Sequence, residues 1–207
     1  MADLASIASL ATAGGTLVLA VATFGSVRSA NRAARVAEKA LLVGLRPVLA
    51  PTRPGDPDQK INWGDEHWTR LPAGQAGVEV TDEVIYFSLP LRNIGNGIAV
   101  LQGWFVNVPW NTDTDHTPLD RFVAQQRSLY VPSTDVGFWQ GAFRDPAAPE
   151  FAAARELLAR RERFGIELLY SDHEGGQQAI TRFGCMPVEG SDVWMATAGR
   201  HWRLDSE

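Results

Sequence analysis

Cysteine is all but missing from this chain of 207 residues, in which Cys185 stands alone. A single thiol excludes an intrachain disulfide and a multi-cysteine zinc site, and it agrees with a reducing compartment. Lysine is nearly missing too, with Lys39 and Lys60 set against seventeen arginines. Internal repeats, low-complexity blocks and complete catalytic or cofactor-binding motifs are absent, so no cofactor is expected. Positive charge is short where a nucleic-acid surface would need it. From Pro47 onward, 14 basic residues face 22 acidic ones, a balance of −8 within a net charge of −5 for the whole chain. Such a surface repels a phosphate backbone and excludes nucleic acid as a partner of the main domain. What is present is ordinary for a folded protein: 45% hydrophobic and 21% charged residues, in a length that suits one sizeable core with an extension.

The extension is residues 1–46. From Leu4 to Val27, "LASIASLATAGGTLVLAVATFGSV" runs 24 residues without a charge. As a helix rising about 1.5 Å per residue it would cover the roughly 30 Å hydrocarbon core, which predicts a single transmembrane helix. Its large apolar residues, among them Leu17, Leu19, Val21, Phe24 and Val27, are outnumbered by Ala, Gly, Ser and Thr. The competing expectation is a helix packed on a partner protein. Asp3 precedes the run without any Lys or Arg, and no A-x-A site closes it, which argues against a cleaved signal peptide. Arg28, Arg32, Arg35 and Lys39 follow on one stripe of a continuing helix. They would lie on anionic membrane lipid or act as a plain stop-transfer flank, and either role puts the C-terminal domain in the cytoplasm beneath the inner membrane. Small residues at Ala5, Ser9 and Ala13, and at Ala11 and Gly15, permit a homo-oligomer through this helix.

Gly44 and Pro47 end the helix, and residues 47–207 read as a strand-rich domain. Two β-type runs, Val84 to Leu91 and Ile98 to Val108, flank a Gly-Asn-Gly corner. Further runs follow at "RFVAQQRSLYV", "VGFWQGAF", "FGIELLY", "QAITRFGCM" and "VWMATAGRHWRL". Short strands separated by Gly, Pro, Asn and Asp clusters predict an immunoglobulin-like antiparallel β-sandwich. One helix interrupts it at "APEFAAARELLARRERF", with Phe151, Leu157, Leu158 and Phe164 on its apolar side.

Four stretches could carry chemistry. "RNIGNGIAV" has the rhythm of a phosphate loop, but Val100 stands where the third glycine should be and a β run follows, so a strand corner is expected, with positive φ at its glycines and Asn93 bridging the backbone. "DTDHTPLD" gathers Asp113, Asp115, His116 and Asp120 without the glycine or final glutamate of a calcium loop. Cys185 could be a nucleophile with His173 or His201 as base, against its reading as a small buried residue. In "LLYSDHEGGQQAITRF" the alternation around Asp172, His173 and Glu174 places them where a hairpin reverses, with Gly175 and Gly176 suited to a tight turn. His173 could still meet His201 and Asp205 across adjacent strands to bind a metal or act as acid and base.

Taken together, "LRPVL", "LRNIGNGIAVLQGW", "VGFWQGAFRD", "LLYSDHEGGQQAITRF" and "RHWRLD" resemble an uncharacterised bacterial family in which an N-terminal membrane helix precedes a β-rich domain. The resemblance implies a fold and assigns no catalytic residue. Two functions of different class follow. The first is a membrane-anchored interaction or scaffold module with an unknown protein partner. The second is a membrane-tethered hydrolase or metal-binding enzyme that uses Asp172, His173 and Glu174 with His201.

Overall fold

The computed structural model describes residues 2–110 and 112–204, and for residues 2, 4–8 and 10–12 it describes the backbone alone. Asp205, raised above as a possible partner of His201, lies outside the described residues. The chain divides into two units, Met1–Gly44 and Leu45–Glu207.

The first unit is one helix, α1 (Ala2–Gly44), of 43 residues. It is rich in alanine, contains no proline, and carries Asp3 in its first turn, where a negative charge opposes the positive end of the helix dipole. The expectation of a membrane span is corrected here: among the described residues no helix is long and apolar enough to cross a membrane. Length is not what fails. Alanine, glycine, serine and threonine dilute the leucines and valines, and the Thr23 hydroxyl turns back to donate to Leu19 O at 2.7 Å. The single-pass membrane reading and the inner-membrane location, whose topology argument presupposed that span, go with it. Arg28, Arg32, Arg35 and Lys39 are exposed on α1.

The second unit is mainly β, with a large antiparallel sheet and one further helix. Its strands are β1 (Leu49–Pro51), β2 (Gln59–Asn62), β3 (Trp68–Leu71), β4 (Gln75–Val80), β5 (Ile85–Asn93), β6 (Ala99–Asn107), β7 (Val123–Ala124), β8 (Tyr130–Val131) and β9 (Val136–Phe143). After α2 (Pro149–Ala159) come β10 (Phe164–Ser171), β11 (Ala179–Pro187) and β12 (Trp194–Arg203). Ten strands join in the order β1-β5-β4-β12-β11-β10-β6-β7, with β9 added to β5 and β8 to β6, while β2 and β3 form a separate hairpin. The sheet turns at β4, where Gln75 and Ala76 pair with β12 and residues 77–80 pair with β5.

One core is shared by both parts of this sheet. Phe87 of β5 meets Phe164 of β10 at 5.6 Å between ring centroids, and Trp104 of β6 meets Trp139 of β9 at 5.5 Å, both edge to face. Helix α2 starts with Pro149 in its first turn and buries Phe151, Ala154, Leu157 and Leu158 in the same core. Phe164, expected on its apolar side, instead opens β10. The helix stops because Arg161 takes a left-handed φ of 52° and Glu162 N–H returns to Leu157 O at 3.1 Å.

The corner between β5 and β6 is held by Asn93, which is fully buried. Its amide nitrogen donates to Gly97 O at 2.6 Å and Val131 O at 3.1 Å, while its oxygen accepts Val48 N–H at 3.2 Å and Gly95 N–H at 3.0 Å. Gly95 and Gly97 are needed for space rather than for the positive φ expected of them: neither has one, and a Cβ on Gly97 would run into the Leu45 carbonyl, one on Gly95 into that of Arg46. Gly97→Val therefore forces two backbones apart. It should cost about 1–3 kcal/mol, the usual range for overpacking, and lower the melting temperature of the full chain. An unchanged melting curve would show that the contact is slack.

Candidate functional site

The hairpin between β10 and β11 assigns its three polar residues different fates. Asp172 is buried and serves the turn: its carboxylate accepts Gly176 N–H at 2.9 Å and its carbonyl accepts Gly175 N–H at 3.1 Å. Gly175 has the positive φ, 79°, that such a turn requires, whereas Gly176 does not. His173 and Glu174 project from the tip with 59% and 70% of their side chains exposed, His173 Nε2 lying 4.0 Å from Glu174 Oε1. This is a carboxylate spent on backbone and a solvated pair beside it.

His201 lies elsewhere, opposite Thr181 in the β11–β12 register. Its Nδ1 is 3.0 Å from the Thr181 hydroxyl and 3.5 Å from that of Tyr170, which also accepts Leu49 N–H at 3.2 Å. Partial burial, followed by the positive charges of Arg203 and Arg46, holds the His201 imidazole below its usual value. Among the described residues, no group of His, Cys, Asp and Glu could hold a metal ion, and no hydrogen bond or ion pair joins His173 to His201.

Cys185 is fully buried, and burial alone pushes its thiol far up. It pairs with Ala196, four residues along β11 from the Thr181 that faces His201, about 13 Å at the usual strand rise. A thiol kept protonated and out of a base's reach is packing.

The stretch 113–120 is a covering loop. It crosses β10 and β11 on the face away from the core, where Trp110 lies within 3.2 Å of the Cβ that Gly165 lacks and 3.0 Å of the one that Gly184 lacks. Beneath it sits an ion pair that reading the sequence did not single out. Arg182 and Glu167, with 4% and 0% of their side chains exposed, meet at 2.7 Å. Glu167 also accepts Asn107 Nδ2 at 2.9 Å and Thr117 N–H at 2.9 Å. Arg182 donates to the carbonyls of Asp113 and Asp115 at 2.9 and 2.8 Å and stacks 4.9 Å over Trp202. The acidic loop thus contributes backbone carbonyls to a cation. His116 bonds Thr117 O at 2.7 Å and packs on Trp202. The only sequence signal for this pair is that Glu167 and Arg182 sit at cross-strand positions inside otherwise apolar runs.

No family model matches the chain, and no curated protein matches it. A crystal structure of a protein from Archaeoglobus fulgidus is 14% identical, covering 63% of this chain and 94% of that one with a TM-score of 0.26, a likeness too low to carry an argument.

Two outcomes test these roles. Glu167→Gln leaves the Arg182 guanidinium buried without its counter-charge and should cost about 3–5 kcal/mol, while His173→Ala at the solvated tip should stay within about 0.5 kcal/mol of the parent, both by denaturant melting. A mild Glu167→Gln would mean that water reaches the pair. For His201, the folded state has the lower pKa and the unfolded state takes up the proton first. Its contribution is therefore intact above the unfolded-state value of about 6.5 and is lost as the pH falls from there through the lower folded-state value. The melting temperature of the parent should drop more between pH 7 and pH 5 than that of His201→Gln, and parallel curves would refute the depressed imidazole.

Proposed function

We propose that the chain is an interaction module: an immunoglobulin-like β-sandwich carried on a helix that pairs with the same helix of a second copy. The observation that carries this is the exposure of Leu17, Val21, Phe24 and Val27 on α1, a helix with no second element in its own unit to cover them. Apolar side chains spaced three and four apart form a stripe that a partner helix buries.

The phase of the stripe favours a second copy. With Leu17 at position a of a heptad, Phe24 and Asn31 also fall at a, and Ala20, Val27, Ala34 and Leu41 fall at d. Asn31 is the residue type that fixes register and strand number in a paired seam. Arg28 and Arg35 fall at e, and Arg32 and Lys39 at b, so the basic stripe flanks the seam without entering it. Glu38, at the next a position, limits the uncharged seam to the part before it.

The sandwich is supported by the shared core and the turn of the sheet at β4. Binding is favoured over catalysis because Asp172, His201 and Cys185 are each occupied by the fold. Sedimentation of the full chain should give a dimer. Replacing Leu17 and Phe24 together by Glu removes apolar burial of about 1.5–3 kcal/mol per side chain and should weaken association at least about tenfold per position. A parent chain that sediments as a monomer, or a dimer indifferent to both substitutions, would sink the proposal.

A further inference from the structure

Between the β6–β7 edge and β9, the second unit holds a cavity of about 190 Å3 lined by Trp63, Trp104, Gln125, Arg127, Gln140 and Arg144, among others. Its volume lies below the roughly 300–1,000 Å3 of pockets for drug-sized ligands, which suits an occupant of monosaccharide size. The Gly141 backbone can line the wall because a Cβ there would stand 2.5 Å from Trp139 Cζ2 and 3.0 Å from Trp104 Cε2.

Two of the lining residues carry carboxamide oxygens that are sealed from solvent and left without partners. Gln140 is 8% exposed, and among the described residues its Oε1 has no hydrogen-bond partner. The buried Oε1 of Gln125 has none either, although its Nε2 reaches Gln140 O at 3.4 Å. A buried acceptor without a donor is destabilising, and rotation of the carboxamide toward a ligand hydroxyl would satisfy it. The charged groups are both cations and are held from behind. Arg127 Nη1 donates to Asn62 O at 3.0 Å, and Arg144 Nη1 to Asp65 Oδ2 at 3.1 Å with its guanidinium 5.5 Å above Tyr86. Among the described lining residues there is no carboxylate. Asp65 offsets part of the Arg144 charge, which leaves Arg127 as the principal anion partner.

From this complement we infer that the cavity binds a small polyhydroxylated carboxylate of the sugar-acid class. The carboxylate pairs with Arg127 and Arg144, hydroxyl groups donate to the Gln125 and Gln140 oxygens, and the indoles supply an apolar wall for the ring carbons. This site is independent of helix pairing.

The test titrates the full chain with D-glucuronate while following tryptophan fluorescence and melting temperature, with glucose and acetate as controls that keep only the hydroxyls or only the carboxylate. Saturable binding in the millimolar range is expected, at least tenfold weaker for either control. Gln140→Leu and Arg127→Met should each raise the Kd for glucuronate at least tenfold. Arg127 is exposed, so its variant stays informative if the core substitution at Gln140 disturbs the fold. The absence of saturable binding, equal binding of glucose or acetate, or affinity unchanged in both variants would overturn the assignment.

Discussion

The second unit is governed by the burial of its central strands on both faces. Residue after residue of β5, β10 and β11 is inaccessible to water, whichever side of the sheet it points to. Strands of that kind need cover on each face. One face is supplied by the shared core. Over β5 the second face is covered by the β2–β3 hairpin, whose Ile61, Trp63 and Leu71 pack with Tyr86. Over β10 and β11 it is covered by the loop that carries Trp110 and the 113–117 stretch.

That loop explains why a charged pair lies inside the protein. A loop laid on a sheet brings backbone groups that must be satisfied away from water. Arg182 takes two of its carbonyls and Glu167 takes one of its N–H groups, so the ion pair works as an adaptor between an irregular segment and a regular sheet. A buried pair of this kind contributes little net stability against apolar packing, but its geometry accepts one placement of the loop and penalises others. Asn93 does the same at the opposite kind of junction, joining the segment before β1, the β5–β6 corner and β8 through four hydrogen bonds. Against these satisfied networks, the carboxamide oxygens of Gln125 and Gln140, like Ser88 Oγ and Trp139 Nε1, are buried without a hydrogen-bond partner among the described residues.

Occupancy also bears on function. A side chain suited to chemistry must keep a lone pair, a proton or a coordination position free. Asp172 gives its carboxylate to a turn, Cys185 is sealed in the core, and His201 is engaged with Thr181 and Tyr170. Apolar side chains on α1 and the side chains of Arg127 and Arg144 remain exposed.

The sequence by itself determined where strands with strong β-type runs lie, because β5, β6 and β9 to β12 are rich in aliphatic and aromatic residues between turn residues, and it placed α2 and the corner at Asn93. It also located the hairpin turn at Asp172, since alternation on both sides leaves no other place for the reversal. It did not reveal β2, β3 and β4, which are short and polar: β2 and β3 pair with each other and cover Tyr86, while β4 pairs with β5 and β12. For the first unit, an uncharged run of sufficient length suggested a span, while the diluted hydrophobicity of the described helix decided otherwise. The partnership of Glu167 with Arg182 left only a faint sequence signal, two charges inside otherwise apolar runs, and the meeting of Gln125 with Gln140 left none. Each joins residues fifteen positions apart across neighbouring strands or across the open edge, and pairing register and strand order, not local propensity, bring such groups together.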